Sequence, residues 1–541
     1  MTTPATTTRR STTLWLLGIV LLSGVIRVVL AASAVFPVGE SGLVYRTVEA
    51  VRADGYALPL TVTYNDLDVP AIHPPIAFYL TAALTDLSGL SLLTVFRWLP
   101  VALSIIAIVA FHDLARQALA DKRCALWATL LFSLLPTTYA GLLGGPGIIE
   151  AAGMLLGVIT MAQVYRLIQG GTVAGWLACI LLMTLTALTA PGWAVFVSFS
   201  AVALLFTLRP DPIRNIQVFL VIAAAVVAGG AWVYFVQRAH GMQPFNTVLL
   251  SELNFQAVQQ RVGLFFGGPL SFTAEPIAPV IGALVIVGFF VSFGLRRPGL
   301  GIWTLAILFL PSMNAAMAAV PSALLAALAA DYLLLTGLSS FRKPRRYAPD
   351  GQQLLERGSD WAVYTSYLAL GAVVVLGTLN IAYSRTTPNL RAPSISPADL
   401  DATAWMQENL SQRPNIQILI LTGQADWSND SLTEWFPVLA GMPTTTGVRA
   451  TRLAPDVSFD ERVSQYQSVQ DCLNRTLDCL QPYIAPDAAE VYLYIAPGAR
   501  GALWAPLLTE GTANPYTPVY PTATRDDLTP GQAVIFQQIS S

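Results

Sequence analysis

The sequence predicts an α-helical polytopic membrane protein of about eleven spans, followed by a C-terminal extracytoplasmic α/β domain. Three observations carry this. Of the 541 residues, 54% are hydrophobic and 11% charged, where a soluble domain carries about a quarter charged. Long apolar runs recur as far as residue 383, separated by short segments that hold both lysines, Lys122 and Lys343, and many of the arginines. Beyond residue 384 the chain turns polar, and its apolar residues fall into helix-sized and strand-sized groups. These shifts give a membrane-embedded part at 1–383, a linker at 384–396 and a globular part at 397–541.

The N-terminus opens with Arg9 and Arg10 and an apolar stretch from Leu14, then AASA at 31–34, which has the outline of a cleaved signal peptide. The stretch runs on to Phe36, however, and is of span length rather than signal-core length. An uncleaved first span is expected. Further runs follow near 98–117, 124–143, 147–167, 172–189, 191–208, 215–236, 276–295, 300–318, 320–338 and 361–383. Pro191 and Pro321 are read as helix starts that divide neighbouring runs.

Charge assigns the sides. Arg9/Arg10, Arg116/Lys122/Arg123, Arg166, Arg209/Arg214, Arg296/Arg297 and the cluster from Arg342 to Arg357 mark cytoplasmic segments by the positive-inside rule. The other loops, two of them long (36–97 and 237–275), carry only Arg46, Arg52, Arg97, Arg238 and Arg261. Parity then decides the status of HPPIAFYLTAAL: 13–35 and 98–117 already supply the two crossings between Arg10 and Lys122. This apolar helix before Ser88 is also shorter than the roughly 20 residues a span needs, so it is interfacial or re-entrant. Upstream, Leu43, Val44, Val48 and Val51 recur at helical spacing with Arg46, Glu49 and Arg52 between them, a second amphipathic helix lying flat at the outer surface.

The eleventh span delivers residues 384–541 outside. There ADLDATAWMQENL reads as a helix, and NIQILILTG, EVYLYIAP and GQAVIFQQI as strands. Cys472 and Cys479 lie close together in DCLNRTLDC and are expected to form a local disulfide in an oxidising compartment, whereas Cys124 and Cys179 sit in apolar runs as packing residues. There is no basic stripe for nucleic acid and no internal repeat of the kind that marks many transporters.

Charged groups beside spans are costly and mark sites. Five fall on or near the outer face: Arg27 inside the first span, Glu40 just after it, His73 before the interfacial helix, Arg97 at the second span and Glu150 in GLLGGPGIIEAAGML. Two carboxylates and an imidazole at that depth suit deprotonation of a hydroxyl, binding of a divalent metal, or both. Simpler roles compete: Glu40 and Glu150 complement helix starts, His73 ends an extended segment before Pro74, and Arg27 snorkels or pairs within the bundle. Asp331 falls near mid-membrane in the tenth run, within reach of Arg27 or a hydroxyl.

The order GESGLVYRTVEAVRADG, HPPIAFYL, the basic loop DLARQALADKR and the Gly/Pro turn before Glu150 resembles the membrane glycosyltransferases of GT-C fold, in particular the protein O-mannosyltransferase, aminoarabinose transferase and Rgt-like group. The likeness covers roughly 13–340, and EWFPVLAG at 434–441 resembles C-terminal domains appended to some bacterial members. It implies transfer of a hexose or pentose from a polyprenyl-phosphate donor to a hydroxyl of a glycan, lipid or protein at the outer face of the cell membrane. It also implies Glu40 as base, Glu150 as second acid or metal ligand, and His73 as positioning residue or ligand. Where the family opens its first outer loop with an acidic pair, this sequence has Gly39-Glu40, so Glu40 alone inherits the role. Arg27, Arg97, Arg238, His240 and Arg261 are the candidates for the departing lipid phosphate. Phe245, Phe255, Phe265 and Phe266 are placed to cover the site. The rivals are a multi-span transporter and a polymerase or ligase of lipid-linked glycans.

Overall fold

The computed structural model describes residues 5–33, 36, 42–119, 121–139, 147–208, 210–242, 278–294, 298–310, 314–342, 395–454, 457–486, 488–499, 501–509, 514–521, 524–528 and 532–538. Helix α1 (Ala5–Ser33) is followed by the amphipathic α2 (Gly42–Ala53), a two-stranded hairpin of β1 (Thr61–Tyr64) and β2 (Leu67–Pro70), and the short α3 (Ile76–Ser88). A bundle then forms from α4 (Leu92–Ala118), α5 (Lys122–Leu134), α6 (Gly147–Gly170), α7 (Val173–Ala187), α8 (Pro191–Leu208), α9 (Pro212–His240), α10 (Ala278–Gly294), α11 (Pro298–Leu308) and α12 (Ala315–Arg342).

Among the described residues five helices are long and apolar enough to cross a bilayer: the Thr12–Ala32 part of α1, α4, α6, α8 and α9. Helices α5, α7, α10 and α11 have 13, 15, 17 and 11 residues. Helix α5 stops at Leu134 and gives way to a 3-10 turn at Pro136–Thr138, so it spans only about 20 Å at 1.5 Å per residue. The expected run at 300–318 is divided, with α11 ending at Leu308 and α12 starting at Ala315. Pro321 therefore does not start a helix. It lies inside α12, whose start is capped by Asn314 through a hydrogen bond from the Met317 N–H to Asn314 Oδ1 (2.9 Å). The run at 361–383 lies outside the described residues. Chain and membrane still agree at the coarser level: this is a multi-pass membrane protein.

Helix α3 has 13 residues and ends at Gly89, which adopts a left-handed φ of +68° and returns its N–H to Thr85 O. It is too short to span. Helix α2 buries Leu43, Val44, Val48 and Val51, the face its spacing predicts. That face is covered by protein: α2 packs on α3 and on a helix of the C-terminal unit. Arg52 and Tyr56 hold Asp86 of α3 at 2.7 Å and 2.5 Å, tying the two outer helices together.

The C-terminal unit begins with α13 (Pro397–Leu410), started by a reciprocal cap between Ser396 and Asp399. Strand β3 (Ile416–Leu421), α14 (Ser431–Leu439), α15 (Phe459–Asp471), β4 (Glu490–Ile495), β5 (Tyr516–Tyr520) and β6 (Val534–Gln538) follow. The sheet order is β3-β4-β6-β5, with β3 parallel to β4 and the other pairs antiparallel. Strands β3 and β4 read as continuous apolar runs because both faces are covered. Leu419, Leu421, Leu493 and Ile495 face Val469 and Leu473, while Ile418, Ile420, Tyr492 and Tyr494 join the core that contains Met406 and Trp435. Cys472 and Cys479 are joined by a disulfide between two 3-10 turns, and Cys124 and Cys179 are buried thiols.

Candidate active site

Contacts between helix termini sort the bundle into two ends. At one, Arg123 of α5 meets Asp331 of α12 at 3.2 Å, and Arg166 near the end of α6 meets Asp113 near the end of α4. Asp331 is thus paired with Arg123 and not with Arg27, because it lies on the late part of α12, level with the start of α5. Opposite this lies the end that holds the start of α6, the starts of α8 and α12, and the segment between α1 and α4.

Glu150 occupies the first turn of α6. Its Oε2 accepts hydrogen bonds from Trp193 Nε1 (3.1 Å) and Asn314 Nδ2 (2.8 Å), and no basic side chain pairs with it among the described residues. The sequence builds this locally. Gly153 and Gly157 lie three and seven residues beyond Glu150, on the same helical face, and the Trp193 ring rests on them. A Cβ at Gly153 would stand 2.6 Å from Trp193 Cδ1, and one at Gly157 2.6 Å from Cε3. Bare backbone thus lets the indole lie flat and aim its N–H at the carboxylate.

Arg27 is fully buried near the end of α1. Its Nη1 donates to Ser133 O (2.9 Å) and to Ser23 Oγ, its Nη2 to Thr138 Oγ1 (3.1 Å), and its guanidinium lies 4.6 Å from the Tyr139 ring centroid. Every partner is neutral, and Nε has no hydrogen-bond acceptor among the described residues. A buried cation without a counter-charge is costly, by several kcal/mol.

The segment between α1 and α4 closes over the same end. Ile76 N–H bonds Leu188 O (3.3 Å), five residues before Trp193. Trp232 Nε1 of α9 donates to Ile72 O (2.8 Å), and His240 Nε2 donates to Leu60 O (2.9 Å). His73, between these anchors, is exposed and stands edge-on to Phe78 with ring centroids 6.5 Å apart. Arg238 is exposed at the end of α9 beside Tyr234 (5.9 Å), and Arg97 is half-buried in the second turn of α4. Glu40, Arg261 and the four loop phenylalanines lie outside the described residues.

The sequence matches no protein-family model and no curated protein. Its architecture does have solved counterparts. ArnT from Cupriavidus metallidurans, in a structure bound to undecaprenyl phosphate, aligns over 97% of this chain and 98% of its own at a TM-score of 0.51 and 15% identity. The Archaeoglobus fulgidus oligosaccharyltransferase aligns over 89% of this chain and 69% of its own (TM-score 0.51, 14% identity). The mycobacterial arabinofuranosyltransferase AftD aligns over 97% of this chain and 40% of its own (TM-score 0.56, 15% identity). This chain has the GT-C fold.

Within that GT-C fold, Trp193 and Asn314 are partners of Glu150 that sequence reasoning missed. A tryptophan just inside a proline-led helix start and an asparagine at a helix cap position were the available signals, but their meeting at Glu150 across 43 and 164 residues was not. Of the expected metal ligands Glu40, His73 and Glu150, Glu40 lies outside the described residues. Among the described residues no three ligand-type side chains converge.

Proposed function

We propose that this GT-C protein transfers a sugar from a polyprenyl-phosphate donor to an acceptor hydroxyl at the outer face of the membrane. The observation that carries this reading is the carboxylate of Glu150. It is held by two neutral donors, has no basic partner among the described residues, and stands at the end of the bundle away from the basic loops. At the other end of the bundle Asp113 and Asp331 each meet an arginine, whereas Glu150 is a carboxylate that does not. One kept for chemistry stays available for a proton.

The reaction assigns the parts. Glu40, the base inherited from the resemblance, takes the acceptor hydroxyl proton. The hydroxyl oxygen attacks the anomeric carbon, the bond from that carbon to the phosphate oxygen breaks, and the lipid phosphate leaves with the electron pair. Glu150 is the second acid, which orients the acceptor. Arg27 is the first candidate to meet the leaving phosphate, since its guanidinium is desolvated and opposed by no anion among the described residues; Arg97, Arg238, His240 and Arg261 are candidates for the rest of the donor head. The undecaprenyl phosphate in the ArnT structure and the dolichol-phosphate in an Archaeoglobus fulgidus oligosaccharyltransferase structure support a lipid-phosphate donor. The acceptor is a glycan, lipid or protein hydroxyl, and the nearest variant reading of the same site is a polymerase or ligase of lipid-linked glycans. The carrier alternative needed a deep charge at Asp331, which instead pairs with Arg123.

On this reading the Lys122 end, marked by the basic loops, is cytoplasmic, and the C-terminal unit with its disulfide lies on the outer side together with the segment between α1 and α4 that it contacts. The test uses purified protein in lipid nanodiscs, radiolabelled polyprenyl-phosphate hexoses and pentoses, and a panel of hydroxyl acceptors. Wild type is expected to move label into the acceptor, and Glu40→Gln to lose that activity. Equal transfer by both removes Glu40 from the reaction, and no transfer of any label by the wild type overturns the reading.

A further inference from the structure

The β1–β2 hairpin has only four residues to a strand, and its turn places both Asn65 and Asp66 at positive φ (56° and 57°). A two-stranded hairpin on its own is marginally stable at best in water, and each left-handed residue that carries a Cβ adds to the cost. Its order therefore has to come from outside. The C-terminal unit supplies it.

Asn65 clasps Thr444. Its Nδ2 donates to Thr444 O (2.9 Å) and its Oδ1 accepts the Thr444 N–H (2.6 Å), so one side-chain amide pairs with one backbone residue through both its donor and its acceptor. Thr444 is itself set on the sheet, with its Oγ1 donating to Ile418 O of β3 (3.1 Å). Gly447 closes over the amide, where an added Cβ would stand 2.7 Å from Asn65 Nδ2. Beside the turn, the Tyr64 hydroxyl donates to the Glu434 backbone carbonyl, and Tyr64 and Val69 share a small core with Leu43, Ala450 and Leu453.

The other end of the hairpin is tied to the bundle. Leu60 O takes the Ala71 N–H (2.9 Å) as well as His240 Nε2 of α9, and Ile72 O takes the indole of Trp232. After Pro74 and Pro75, whose rings fix the direction of the chain, the Ile76 N–H reaches Leu188 O in the turn from α7 to α8. That turn is closely bonded: the Leu188 N–H returns to Thr184 O (3.0 Å), the Ala190 N–H to Thr186 O (2.8 Å) and the Trp193 N–H to Ala190 O (3.0 Å). Trp193 then delivers its indole N–H to Glu150.

We propose that Asn65 is a positioning residue for Glu150: by clasping Thr444 it orders the hairpin, and the ordered hairpin holds residues 71–76 against the turn that carries Trp193. This rests on the assignment of Glu150 to the transfer reaction. The C-terminal unit then acts on the reaction without touching Glu150, and the soluble sheet is a working part of the transferase.

The experiment compares full-length wild type, Asn65→Gly, Gly447→Ala, Trp193→Phe and the double variant of Asn65→Gly with Trp193→Phe in nanodiscs, reading transfer kinetics and amide hydrogen exchange over 60–76 and over β3. Asn65→Gly suits the left-handed turn and removes the clasp. Gly447→Ala presses on the same amide from the C-terminal side, and decides the matter if Asn65→Gly does not fold. Both are expected to raise exchange over 60–76 about tenfold or more, with β3 unchanged. Both should lower kcat roughly 10- to 100-fold with donor KM little changed, since a displacement of about 1 Å is enough for such a loss. Trp193→Phe removes the N–H and lowers kcat by itself; in its presence Asn65→Gly should cost no further kcat, because the hairpin acts through that indole. Unchanged exchange in the folded variants overturns the clasp. An unchanged kcat where exchange has risen, or an Asn65→Gly loss just as large in the Trp193→Phe background, overturns the positioning role. If the wild type transfers no sugar, the proposed function fails by itself, and exchange over 60–76 still decides whether Asn65 holds the hairpin.

Discussion

The two ends of the helical bundle treat charge in opposite ways. At the Lys122 end, Arg123 meets Asp331 and Arg166 meets Asp113. At the Glu150 end, Glu150 is held by an indole and an amide, and Arg27 by hydroxyls, a carbonyl and a ring. Pairing is the inexpensive solution wherever a charge serves only the fold. Under the proposed function, a carboxylate and a guanidinium that keep neutral partners among the described residues at one end of the bundle are there for chemistry.

The largest expected effect breaks or sharpens that contrast directly. Glu150→Gln keeps the shape and an oxygen for Trp193 and Asn314, so the fold should survive while transfer falls by roughly 10²- to 10⁴-fold; initial rates at saturating donor measure it. An unaffected rate would reduce Glu150 to a helix-start residue. Next, Arg27→Lys replaces a planar fork by a point charge and should raise the KM for donor by about 10- to 100-fold, with kcat less affected. Gly157→Ala drives a methyl into the Trp193 ring, and chemical denaturation should show a loss of about 1–3 kcal/mol. By contrast, Asp331→Asn removes a partly exposed pair worth about 0.2–1 kcal/mol and should leave transfer unchanged.

The smallest effect concerns pH. Hydrogen bonds from Tyr56 and Arg52 hold the Asp86 carboxyl below its ordinary 3.8. A depressed carboxylate adds stability above the ordinary value and gives it up as pH falls through the lower, folded value. Melting curves of the wild type should therefore drop more steeply below pH 4 than those of Asp86→Asn.

Much of this was legible in the sequence because it is local. The spacing of Leu43, Val44, Val48 and Val51 announced α2, the shortness of the segment before Ser88 announced a non-spanning α3, and the apolar runs announced β3, β4 and β6. What escaped was either quiet or distant. The β1–β2 hairpin turns on Asn65 and Asp66, both at positive φ, a turn signal that was present and overlooked. Strand β5 carries Pro518, which sequence rules confine to the edge it in fact occupies. Pro321 reads as a helix start because nothing local reveals that Asn314 caps the helix earlier. The partners of Glu150 and Asp331 are set by tertiary packing across 164 and 208 residues, which no local pattern encodes.

The account stands on the two ends facing different compartments. Single cysteines at Lys122 and at exposed Ser88, probed on intact cells with a membrane-impermeant maleimide, test this most directly. The expected result is labelling of Ser88→Cys from outside and of Lys122→Cys only after the membrane is opened. Labelling of both from the same side would contradict it.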